Sequence, residues 1–192
     1  CTLVGPGVSP SSSVATSSPS ESRAPVPSVA ARIPTCDEVP EITAPAEYYR
    51  DSPIYVANEM PDNALRRWAT TKPGFETLWI DRTHNGWLTL AFSQDAAARQ
   101  AELEAEFPDV GAVAVGVDWT MGELEAINGR IRDELYPDVA HGWGIRDNLG
   151  MVTIAIGARS AERIAAVEQS FGGERVCVEG LEAKLRRRTG GK

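Results

Sequence analysis

Three cysteines and two histidines are the side chains of this 192-residue chain best suited to covalent or acid–base chemistry. Nucleophilic catalysis needs a Ser or Cys beside a base, and a third group that orients the base. His84 falls in a His-Asn-Gly turn sequence, and His141 stands just ahead of a strand-like segment. No Ser lies in a Gly-x-Ser-x-Gly elbow. No Cys-x-x-Cys, His-Glu-x-x-His or Asp-rich calcium loop offers metal-ligand spacing, and no glycine-rich phosphate loop follows a strand. Glu102, Glu104 and Glu106 alternate on a helix, so they point to different faces, as on a solvated surface. The histidines therefore read as surface or capping residues. No catalytic residue, metal ligand or cofactor is expected. The alternative is a hydrolase with a noncanonical site near His84 or His141, which requires a pocket gathering one imidazole with a carboxylate.

The cysteines read differently. A bacterial lipoprotein signal is cut just before a Cys whose thiol takes a diacylglycerol. Several acyl chains then anchor the protein stably, at about 0.8 kcal/mol per buried CH₂. Behind Cys1, residues 2–35 are built mainly from Ser, Pro, Ala and Val, as in SPSSSVATSSPSESRAPVPS. Such a segment cannot bury enough apolar surface to offset the entropy of ordering it, so it reads as a linker. Cys1 with its stalk thus implies a lipid-anchored, extracytoplasmic protein. Cys36 and Cys177 are then an even pair in an oxidising compartment and are expected to form a disulfide; two unrelated small core residues are the other reading.

Charge is uneven along the chain. The total is −8; residues 1–35 carry +1 and residues 181–192 carry +4, which leaves −13 on 36–180. An acidic body argues against nucleic acid as a partner. The 181–192 run, with Arg186, Arg187 and Arg188, reads as a basic tail, either a solvated helix end or a contact to anionic envelope polymer.

The elements that must position any site recur. Ile54-Tyr55-Val56 suits a short first strand. Asp62 can cap a helix carrying Leu65, Trp68 and Ala69, and Leu78–Asp81 and Trp87–Phe92 read as strands around the Asn85-Gly86 turn. Ser93 opens a helix ended by Pro108, and 112–117 is a strand. Thr120 and Glu123 form a capping box for a helix ended by Pro137. Strands near 143–146 and 151–156, a helix capped by Ser160 and a strand at 175–178 follow. The order is helix, hairpin, helix, strand, twice over. A shift of 64 residues makes ten of the 29 positions from 79 to 107 identical, among them Trp79 with Trp143, Gly86 with Gly150 and Phe107 with Phe171. A spacing this regular over so many positions reads as a repeat. The expected fold is α+β: two tandem units, 36–118 and 119–180. Each would carry a small antiparallel sheet with helices on one face, in a ferredoxin-like layout, and 113–117 could serve both. Trp87, Met151 and Thr153 point opposite the expected core residues. They mark an open sheet face suited to protein binding, unless the two units cover these faces against each other.

Trp79-Ile-Asp81, the Gly86 turn, Leu88-Thr-Leu-Ala-Phe-Ser93, Glu123–Ile127, Trp143 and Val152-Thr-Ile154 together resemble the propeptides of bacterial secreted serine proteases of the streptogrisin and α-lytic type. The resemblance spans roughly residues 62–180. It implies a folding chaperone and inhibitor whose sheet pairs with a hairpin of the protease. No protease follows here, and Arg146 stands where the family has an acidic residue, so the implied role is one in trans. The expectation is a non-catalytic lipoprotein that binds another exported protein, such as a serine protease, and the membrane through Cys1. A small-ligand or structural envelope module is a blander alternative.

Overall fold

The computed structural model describes residues 32–49, 59–157 and 160–180. Cys1, most of the stalk, the expected strand at Ile54–Val56 and the basic tail lie outside the described residues. The protein is mixed α+β, with four helices and two three-stranded sheets among those residues.

Helix α1 spans Glu59–Ala69 and buries Leu65, Trp68 and Ala69 at i, i+3 and i+4. It starts three residues before the expected Asp62 cap. Pro61 is tolerated there because a first-turn amide has no intrahelical acceptor. Strands β1 (Phe75–Asp81) and β2 (Trp87–Phe92) form a hairpin whose turn holds Asn85 and Gly86 at φ of 55° and 81°. Helix α2 (Ala96–Glu106) opens at Asp95 instead of Ser93. The Ser93 hydroxyl is engaged elsewhere, donating to Glu76 of β1 at 2.7 Å. Strand β3 is Ala112–Gly116.

Helix α3 (Met121–Leu135) carries the expected capping box, with Thr120 and Glu123 exchanging bonds of 2.8 and 3.2 Å. Strands β4 (Gly142–Arg146) and β5 (Met151–Ala155) follow. Helix α4 (Ala161–Phe171), capped by the Ser160 hydroxyl, leads to β6 (Val176–Glu179).

The sheet orders are β1-β2-β3 and β4-β5-β6. Both are mixed, which corrects the antiparallel expectation: β2 runs parallel to β3, and β5 parallel to β6. The reason is connectivity. A third strand can run parallel to the second only when a long crossover carries the chain back, and α2 and α4 are those crossovers. Strand β3 belongs to the first sheet alone. Helices also fail to keep to one side of the first sheet. Leu88, Leu90 and Phe92 pack with α1 and α2, while Trp87 and Ala91 on the opposite face join a second cluster. That cluster contains Leu124, Ile131 and Leu135 of α3, Val167 and Phe171 of α4, and Val152 and Ile154 of β5. Every residue of β2 is buried as a result.

Trp119, just before α3, pins the two sheets together. Its indole is buried and lies directly over Gly150, the turn residue between β4 and β5. Gly150 has φ +59°, and a Cβ there would fall inside the Trp119 ring contact.

Residues 32–49 form a strap over both sheets. Ile33, assigned to the stalk by its sequence context, is buried. Pro34 accepts from the Val178 amide at 3.0 Å, and Thr35 bridges β6 in parallel. Cys36 and Cys177 form the expected disulfide, with Cα atoms 4.9 Å apart across 141 residues. In the chain-entropy account, closing a loop of that size stabilises the fold by about 5 kcal/mol. The Ile42 amide then donates to the Asn148 carbonyl at 2.7 Å, and Ala44 enters the core.

The Trp119–Gly150 contact gives a test. Gly150→Ala should lose about 2–4 kcal/mol in urea denaturation, from left-handed strain plus overpacking. Gly129→Ala, in the interior of α3 with open space around it, should instead gain about 0.5–1 kcal/mol.

Candidate binding groove at the free edge of the first sheet

The β1–β2 turn is organised by one carboxylate. Asp81 ends β1 and is 5% exposed. Its Oδ1 accepts from the Thr83 amide (2.9 Å), the Thr83 hydroxyl (2.6 Å) and the His84 amide (3.1 Å). Its Oδ2 meets His84 Nδ1 at 2.8 Å and accepts from the Tyr49 hydroxyl at 3.3 Å. Burial alone would raise this carboxyl, but the bonds from Thr83 and His84 outweigh it and hold the group below the usual aspartate range. The same cluster fastens the strap. The Tyr49 ring stacks on His84 with centroids 3.9 Å apart and planes within 10°, and its oxygen accepts from the Ala44 amide at 3.2 Å. Burial lifts the Tyr49 hydroxyl above its usual range, and the neighbouring Asp81 charge adds to this.

The Asp81–His84 pair has the form of a carboxylate orienting a base, so the pocket condition of the hydrolase alternative is met in part. The hydroxyl arrangement does not complete it. Thr83 Oγ1 lies 3.1 Å from Nδ1, the nitrogen already facing the carboxylate, and its proton goes to Asp81. A triad places the nucleophile across the ring, at the other nitrogen. His141 is separate. Its Nε2 lies 3.0 Å from Arg163 Nη1, and Arg163 also donates to the Ile156 carbonyl. No group of three or more His, Cys, Asp or Glu suited to a metal occurs among the described residues.

Beside Asp81 runs a groove of about 380 Å³. One wall is Trp79 to Thr83 of β1 and its turn, the other is Ile145 to Asn148, and Glu41 and Ile42 of the strap contribute to it. Both walls begin at sheet edges, since β1 and β4 are the outer strands of their sheets. At one end the walls meet, where the Thr77 hydroxyl donates to Asp147 Oδ2 at 3.2 Å. Further along β1 the edge is open among the described residues, and Ile80 is 49% exposed. Arg82 at the mouth is exposed and forms no ion pair with any described residue, whereas Arg146 is held by Glu179 at 2.8 Å. Burial pushes the Asp147 carboxyl above its usual range, only partly offset by the Thr77 bond and the charge of Arg66.

The three residues expected on an open face are placed otherwise. Trp87 is 2% exposed, with Tyr49 of the strap against its edge at 5.6 Å between centroids. Met151 is 9% exposed and packs with Cys36, Cys177 and Leu149. Thr153 is half-buried, its hydroxyl donating to the Gly144 carbonyl at 3.1 Å. The strap covers the first two, and no open apolar face remains at Trp87 or Met151. Sequence reasoning noted unpaired edges in general but did not single out Ile80 or Asp147; the exposed Ile80 beside the Asn-Gly turn was the available signal. The chain matches no known family model, and no curated protein matches it either. No described helix is long and apolar enough to cross a membrane.

The Asp81 cluster has a defined pH signature. A carboxyl lowered by folding stabilises the native state above the ordinary aspartate pKa of about 3.9 and loses that contribution as pH falls through the folded value. Asp81→Asn should therefore cost roughly 1–3 kcal/mol at pH 6. The gap to wild type should shrink by pH 3 in urea denaturation. A gap that stays constant across that range would contradict the assignment.

Proposed function

We propose that this chain is a non-catalytic, lipid-anchored protein of the extracytoplasmic envelope that binds another exported protein by pairing with the free edge of β1. The observation that carries this reading is the open stretch from Trp79 to Thr83, with Ile80 exposed on it, facing a groove. Soluble proteins usually blunt or cover such edges, and an open one is the standard acceptor for an added strand. The Cys36–Cys177 disulfide supports an oxidising compartment. Cys1 and its Ser/Pro-rich continuation supply the anchor and the reach.

The two sheets are copies of one unit in this proposal. Their parallel registers coincide under the 64-residue shift: Leu88 pairs with Ala112 and Val152 with Val176, and the next three pairs agree as well. The hairpins differ by one residue. Trp79 sits opposite Thr89, whereas Trp143 sits opposite Ile154, the counterpart of Leu90. The propeptide resemblance gives the partner class, a secreted serine protease inhibited or helped to fold in trans.

Two measurements test this. An exported serine protease from the same source should be inhibited at micromolar concentration or below, and Ile80→Lys should weaken inhibition at least tenfold. Absence of inhibition across the co-secreted proteases would count against the reading. Native protein extracted from membranes should carry a diacylglycerol mass on Cys1, and an unmodified Cys1 would remove the anchor.

A further inference from the structure

This inference rests on the edge-pairing reading above and concerns what the partner must carry. The groove is polar at its closed end. Asp147 sits there, half-buried, accepting from Thr77, with Glu41 on the adjoining wall and bound to Asn148 Nδ2 at 3.1 Å. Arg146, the nearest cation on the groove wall, is committed to Glu179 outside that end. Arg66 of α1 is the charge that faces Asp147 from the other side. The body from 36 to 180 carries −13, so its field concentrates cationic partners and repels acidic ones.

We propose that the groove takes an extended segment of a partner protein that pairs with β1 and places a Lys or Arg side chain against Asp147. The geometry supports each part. The open edge offers main-chain groups to any extended chain without regard to sequence. Discrimination must then come from a side-chain subsite, and the closed end is the polar recess continuous with that edge. A carboxylate in partial burial gains most from a cation that arrives with its own hydrogen bonds, because a charge-assisted contact is about twice as strong as a neutral one. Burial holds the Asp147 carboxyl above its ordinary range despite the Thr77 bond and the charge of Arg66.

The test uses three fluorescent decapeptides, N-acetylated and C-amidated, built from Thr, Val and Ser with one central Lys, Glu or norleucine. Binding to the full chain is read by anisotropy. The Lys peptide should bind at least tenfold tighter than the norleucine peptide, with the Glu peptide weakest. Asp147→Asn, which keeps an acceptor for Thr77, should bring Lys and norleucine within about threefold of each other at an unchanged urea midpoint. Ile80→Lys should weaken all three. Equal binding of the three peptides would overturn the basic subsite and leave edge pairing standing. No binding of any peptide would overturn both. Dimerisation in sedimentation velocity that Ile80→Lys abolishes would assign the edge to a second copy of this chain and overturn the proposal.

Discussion

A buried carboxylate survives only if its lone pairs are filled, and the filling of Asp81 sets much of what surrounds it. Two amides and a hydroxyl from Thr83 and His84 close the turn on one oxygen, while His84 and Tyr49 occupy the other. The first set fixes where β1 ends and how its edge is presented. The second set ties the strap to the hairpin, since the Tyr49 hydroxyl donates to the carboxylate while its ring lies flat on His84. Turn, edge and strap are thus solutions to one satisfaction problem. His84 belongs to the same solution: its Nδ1 faces the carboxylate that the turn amides also use.

The strap carries the same constraint to the second sheet. It leaves β6, where Thr35 and the disulfide hold it, passes the Asn148 carbonyl and arrives at Asp81. Two three-stranded sheets of this size cannot each bury both faces, so they must share a core. They share it asymmetrically. The first sheet contributes the face turned away from α2, and the second contributes the face that packs with α4. In the proposed repeat, strands that correspond under the 64-residue shift therefore meet different environments. The one-residue difference between the hairpins follows this asymmetry. It places Trp79 opposite Thr89 and Trp143 opposite Ile154, and both indoles then pack against the shared core. With no slip, one tryptophan would point away from it, since a single-residue shift moves a strand's side chains to the other face.

Local chemistry was readable from the sequence. The capping box at Thr120, the Ser160 cap, the Asn85-Gly86 turn and the spacing of Leu65, Trp68 and Ala69 are each decided within a few residues, and the structure has them all. The disulfide was readable because Cys36 and Cys177 are an even pair once Cys1 is set apart. Strand direction was not, since periodicity says which face a residue takes and nothing about whether a neighbour runs up or down. The face expected to be open is covered for a related reason. Alternation correctly set Trp87, Thr89 and Ala91 opposite Leu88, Leu90 and Phe92. What covers that second face comes from α3, β5 and the strap, all distant in sequence. Ile80 belongs to the better-read face, and its exposure depends on where the helical cover ends.

The short open edge has its own logic. A long flat apolar edge invites indiscriminate pairing and aggregation. Here the closed end is blocked by the Thr77–Asp147 contact, the far end turns away at Asp81, and the exposed Arg82 stands at the exit. Only Leu78, Trp79 and Ile80 of β1 lie between, and main-chain bonds over so short a stretch cannot by themselves hold a partner against the entropy of ordering it. Affinity must be completed by side chains within reach of the groove. Under the proposed reading, such an edge would reject generic strands by its length and admit those carrying the right group in register, a division of labour between backbone and side chain.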